Sequence, residues 1–92
     1  MDFGKAIAAL KAGKKVTRVG WNGRRKNGDP MYVFMVHGSK FNVNRPPLSE
    51  MFEAGTEISY KPHLDMCHAD DSIGVWQAVT NDVLAEDWEI VS

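Results

Sequence analysis

The sequence predicts an α+β fold, one N-terminal helix packed on short, mostly antiparallel β-strands. Three observations predict it. Apolar residues recur at helical spacing near the N-terminus, at Phe3, Ala6, Ile7 and Leu10. The rest of the chain falls into short apolar or alternating runs, such as Met31 to Val36 and Phe41 to Asn44. Clusters of Gly, Pro, Asn and Asp separate those runs and mark turns.

Each element has its own signal. Asp2 is a good N-cap for the first helix, and Gly13 a stop, giving about ten helical residues. Val16 to Val19 reads as a strand, followed by a turn at Gly20-Trp21-Asn22-Gly23. Arg24 to Pro30 is a polar loop. Met31 to Val36 is a continuous apolar run, hence a buried strand. His37 to Lys40 reads as a hairpin turn leading into a half-buried strand, Phe41 to Asn44, which Pro46-Pro47 ends. Leu48 to Phe52 suits one helical turn. Glu57 to Tyr60 is a strand, and Lys61 to Asp71 a loop or irregular strand. Ile73 to Trp76 is a strand, Thr80 to Ala85 a helical turn capped by Thr80, and Trp88 to Val91 the closing strand.

The chain of 92 residues is expected to form a single domain, residues 1–92. A core this small is only marginally sufficient, and natural domains of this size add disulfides, metals or oligomerisation. One cysteine, Cys67, excludes an internal disulfide and fits a reducing compartment. No run is long and apolar enough to span a membrane, and no signal peptide is expected. Self-association is therefore the expected staple. Net charge is −1 but uneven: residues 1–26 carry eight basic residues and one acid, residues 46–92 ten acids and one base. Such asymmetry suits a nucleic-acid surface, complementary faces of an assembly, or a pocket for a phosphorylated small molecule.

The chemistry-bearing residues are few. His63, Asp65, Cys67 and His68 could approach a metal, but without a second cluster the reading of a loop with a structural His–Asp contact is favoured. No assembled nucleophile, base and orienting group is visible, so no enzyme activity, no metal and no cofactor are expected. Trp21 lies in a turn beside Asn22 and close to Arg18, Arg24 and Arg25. An aromatic face with cations suits a base plus phosphates, yet a turn tryptophan also plugs the edge of a core. Trp88, in the last strand, is expected in the core. Asn42 and Asn44 fall on one strand face, opposite Phe41 and Val43. With Arg45 they could grip ribose hydroxyls and phosphate, or simply solvate a strand end.

Taken together, these stretches resemble a known family. Phe3-Gly4-Lys5-Ala6, Leu10 to Val16, Arg18 and Gly20-Trp21-Asn22-Gly23 carry the N-terminal part of the likeness. Phe41-x-Val43-Asn44-Arg45-Pro46-Pro47, Gly55-Thr56-Glu57-Ile58-x-Tyr60 and Pro62-His63-x-Asp65-Met66 carry the middle, and Leu84 to Val91 the end. The pattern is similar to the type II Thoeris anti-defence proteins of phages. The loop Arg24 to Asp29 departs from it by being longer and more basic. The resemblance implies a phage-encoded sponge in the bacterial cytoplasm, a homotetramer that sequesters a cyclic ADP-ribose-type immune signal without degrading it. Some relatives also bind cyclic dinucleotides. The expected ligand contacts are Arg18, Trp21, Asn22, Arg24, Asn42, Asn44, Arg45 and Asp65, with Trp21 as stacking partner or pocket wall and the arginines toward phosphate. The alternative is a nucleic-acid-binding phage regulatory protein using the basic N-terminal face, which counterion release would make steeply salt-dependent. A third class, a protein that binds another protein, expects no nucleotide affinity.

Overall fold

A computed structural model describes residues 1–91. Helix α1 spans Phe3–Lys11, and the Asp2 carboxylate accepts a 2.8 Å hydrogen bond from the Lys5 amide, satisfying a first-turn donor. Ala6, Ala9 and Leu10 form its buried stripe. Gly13, at φ 88°, supplies the left-handed residue that ends the helix and turns the chain into the sheet.

Seven strands follow: β1 Lys15–Arg18, β2 Tyr32–Val36, β3 Ser39–Asn42, β4 Glu57–Tyr60, β5 His63–Cys67, β6 Ile73–Val75 and β7 Trp88–Val91. A 3-10 turn, Leu48–Glu50, and a short helix α2, Thr80–Leu84, complete the described residues. Five strands form one sheet in the order β6-β5-β2-β1-β7, with antiparallel neighbours throughout. Helix α1 covers one face. Its stripe packs on Val16, Val33, Met66 and Trp88, which the register lines up: Val16 faces Val33, and Val33 faces Met66. The fold is the expected α+β arrangement.

β3 and β4 leave this body and pair only with each other, Phe41 opposite Ile58 and Asn42 opposite Glu57. The expected hairpin between Met31–Val36 and Phe41–Asn44 does not form, because β2 is already paired on both sides, by β1 and β5, and has no free edge. His37 and Gly38 instead lead out of the body, and Lys61 and Pro62 lead back. The ribbon projects: the radius of gyration is 16.0 Å, against about 12 Å for a compact domain of this length. All four β3 residues are exposed, so β3 is not the half-buried strand expected; Val43, just beyond it, is the buried residue of this segment. Its amide donates to the Thr56 carbonyl and its carbonyl accepts from Gly55, which ties the ribbon's far end together.

Three further expectations are corrected. Lys61 to Asp71 contains a regular strand, β5, which lies between β2 and β6 and buries Met66 and Cys67. In β2 only Val33 is fully buried, because no helix covers the opposite face of the sheet. Val79, and not Thr80, stands at the start of α2; its amide donates to the Asp82 carboxylate at 3.2 Å. Trp88 is 1% exposed, donates from Nε1 to the Asp82 carbonyl at 2.9 Å, and meets Phe3, Trp21 and Trp76. Trp88→Ala is expected to cost about 3–5 kcal/mol, most of the stability of a small domain. Urea unfolding should show this as a sharply lowered midpoint.

Candidate functional site

The ribbon carries a cavity of about 580 Å³, within the range of small-molecule sites. Phe41 and Asn42 from β3, Asn44 and Arg45 from the segment after it, and Tyr60 from β4 line it, with Pro46, Pro47 and Leu48 closing one end. Tyr60 lies diagonal to Phe41 across the ribbon. Their rings stack with centroids 5.3 Å apart and 15° between planes. Gly38 makes this placement possible at the neck, since a Cβ there would lie 2.8 Å from the Tyr60 carbonyl oxygen. Both rings remain partly open, at 37% and 48% exposure, so an aromatic surface is available to a ligand.

Beyond Asn42 the strand ends and the alternation with it, and Phe41, Asn42 and Asn44 all line one cavity. The Arg45 carbonyl accepts from the Ser49 amide at 3.1 Å, which folds the segment over the cavity's end. The Arg45 guanidinium has no acidic partner among the described residues. The cavity therefore offers an aromatic platform, two side-chain amides and a free guanidinium. Those groups can stack on a base, hydrogen-bond hydroxyls or base edges, and pair with an anion. Tyr60 was not foreseen as a site residue. Its signal is the β3–β4 register, a tertiary fact that no local pattern carries.

The other predicted residues fall elsewhere. Arg18 donates from Nε to Asp87 and from Nη1 to Asp82, both at 2.9 Å. The second Asp87 oxygen accepts from the Gly20 amide at 2.8 Å. Hydrogen bonding to Asp87 and then Asp82 holds the Arg18 guanidinium above its ordinary pKa. The Arg18 hydrogen bond, chiefly, holds the Asp87 carboxyl below the usual range. Arg18 thus cross-links β1, α2 and the segment before β7, and its charge is neutralised there. Trp21 is half-buried and packs edge-to-face on Trp88, at 5.4 Å, and on Trp76, at 6.4 Å. Of the two readings open for it, plugging the core edge accounts for most of its contacts.

Arg18, Trp21 and Arg24 do come together, lining a smaller cavity of about 250 Å³ that shares no residue with the ribbon cavity. Asn22 is exposed and Asp65 lies on β5 opposite Phe34 and Val75, its carboxylate 3.5 Å from His63 Nε2. Neither residue lines either cavity. No group of three His, Cys, Asp or Glu side chains among the described residues is arranged to hold a metal ion, and Cys67 is a buried free thiol.

Fold and cavity together define a small α+β domain that presents a polar and aromatic ligand-sized cavity on a projecting ribbon. Residues 1–91 match the model of the Thoeris anti-defense 2-like domain, and the chain belongs to that family. It is 34% identical to Thoeris anti-defense 2 of Bacillus phage SP01, over all of this chain and 96% of that protein. The family assigns the chain an anti-Thoeris role.

Two predictions follow from the packing around Arg18 and Trp21. Because Asp87 has a lowered folded-state pKa, its stabilisation is present above the unfolded value near 4 and is lost as pH falls through the folded value. Arg18→Met should therefore lower the melting temperature at pH 7, with the difference from the parent shrinking below about pH 4. Trp21→Ala should destabilise the fold in the same direction as Trp88→Ala but by less, since Trp21 is only half-buried; thermal melts of the two variants compare them.

Proposed function

We propose that the chain acts as a sponge, holding a cyclic ADP-ribose-type signal in the ribbon cavity and withholding it without cutting it. The observation that carries this reading is the convergence of Asn42, Asn44 and Arg45 on the Phe41–Tyr60 ring pair around one cavity. A nucleotide-derived signal has the complementary parts: a base that stacks, ribose hydroxyls for the amides, phosphates for the guanidinium.

Sequestration calls for tight binding. A nanomolar dissociation constant corresponds to about −12 kcal/mol, which a small ligand reaches only in an enclosed, preorganised pocket. The ribbon cavity is open on its own. Assembly of several copies, the homotetramer of our reading, would enclose it. Exposed apolar side chains support self-association: Met51, Phe52 and Tyr60 on or beside the ribbon, and Ile73, Val75 and Leu84 on the body. On this reading the setting is the cytoplasm of the host cell. Binding to nucleic acid is less well supported. Two arginines of the basic N-terminal segment are tied up, Arg18 with Asp82 and Asp87, and Arg25 with Asp71.

Calorimetry with cyclic ADP-ribose and its glycosidic isomers tests the reading. Arg45→Ala removes a charged hydrogen-bonding group, worth about 1.5–3 kcal/mol, and should weaken binding roughly tenfold to a hundredfold. Tyr60→Ala should weaken it by about 1–3 kcal/mol through lost stacking. Both residues are exposed, so melting temperatures should barely change. Heating the loaded protein should release the ligand chemically intact. Recovery of a linear or hydrolysed product would overturn the sponge reading, and unchanged affinity in both variants would move the site off the ribbon.

A further inference from the structure

The helix-free face of the sheet holds a second feature, separate from the ribbon. Thr17 is 6% exposed, and its hydroxyl is buried without a hydrogen-bond partner among the described residues. It lies at the floor shared by two adjoining cavities of about 250 and 320 Å³. Buried polar groups in native proteins are satisfied, so a lone hydroxyl in a recess is a position that a ligand can complete. Glu89, opposite Thr17 in the β1–β7 register, lines both cavities, as does Pro30.

The charges around this hydroxyl narrow the ligand. Arg18 and Arg25 are paired with carboxylates, whereas Lys15, Arg24, Asp29 and Glu89 form no ion pair among the described residues. Lys15 is held in place over the Tyr32 ring, its ammonium 4.9 Å from the centroid. A purely anionic ligand would meet the Glu89 carboxylate, and a purely cationic one would meet Lys15 and Arg24. The complement of free charges of both signs beside one hydroxyl is a zwitterion. We propose that this groove binds a small zwitterion of the α-amino acid class. Its carboxylate pairs with Lys15 or Arg24, its ammonium with Glu89, and the Thr17 hydroxyl hydrogen-bonds one of the two. Trp21 and Pro30 flank the compartment left for an apolar side chain.

Amide chemical-shift titration of the isotope-labelled full chain tests the site. The probes are L-leucine, L-phenylalanine and L-serine, each beside its N-acetyl and methyl ester derivatives, with inorganic phosphate and putrescine as single-charge controls. At least one free amino acid should shift the Thr17, Arg24 and Glu89 amides saturably. Derivatives lacking either charge should bind at least tenfold more weakly. Thr17→Val, which keeps the shape, and Glu89→Gln should each weaken binding tenfold or more, whereas Arg45→Ala on the ribbon should leave it unchanged. Absence of saturable shifts with all three amino acids would overturn the proposal. So would equal binding of the N-acetyl derivative, phosphate or putrescine. Because the two sites share no residue, failure here leaves the ribbon cavity untouched, and failure there leaves this groove untouched.

Discussion

Burying the Trp88 indole requires an acceptor for its N–H and apolar contact on its faces and edges, and the body is built to supply both. The Asp82 carbonyl takes the N–H at 2.9 Å, while Phe3, Trp21 and Trp76 close around the ring. That arrangement fixes α2 against β7. It leaves the Asp82 carboxylate beside Asp87, where Arg18 pairs with both. One buried aromatic and one arginine that bridges two carboxylates thus join β1, α2 and β7. A carboxylate with only 9% side-chain exposure is tolerable there because Arg18 and the Val79 amide both bond it. The stable body then serves as a platform from which a marginal two-stranded ribbon can project.

Division of labour follows from this. Most packing side chains lie in the body, while on the ribbon a stacked ring pair, two amides and a free guanidinium surround one cavity. Loops and projecting elements carry function because rigid scaffolds free them from packing. Here the neck enforces position: Gly38 sits against the Tyr60 carbonyl and Pro62 so tightly that no side chain fits without displacement. The same body geometry holds Arg18, beside Trp21, against two carboxylates, so its charge is offset within the protein. Its two strong hydrogen bonds are made inside the protein.

Much of the body was legible in the sequence. α1 followed from its apolar spacing and from the Asp2 cap, both local signals, and β1, β4, β6 and β7 followed from short β-prone runs. β5 was obscured because His63 and Asp65 break the apolar pattern; it is a strand through pairing with β2 and β6, which local propensity does not encode. The ribbon was misplaced for a related reason. The alternation of Phe41 to Asn44 marks a strand but not its partner, and β2 had no edge to give. Of the candidate site on the ribbon, the run from Asn42 to Arg45 was legible from side-chain chemistry, whereas Tyr60 needed the register. The ion pairs of Arg18 were not legible, because its partners Asp82 and Asp87 lie more than sixty residues away.

The account rests on the ribbon cavity being where a cyclic nucleotide-derived signal is held. Amide chemical-shift mapping of the labelled chain during titration with cyclic ADP-ribose isomers examines this position by position. The account predicts saturable shifts concentrated at residues 41–48 and at Tyr60, with the α1 and β1 amides nearly unmoved. Shifts centred instead on Trp21 and Arg24, or spread across the basic residues of the N-terminal segment, would contradict it.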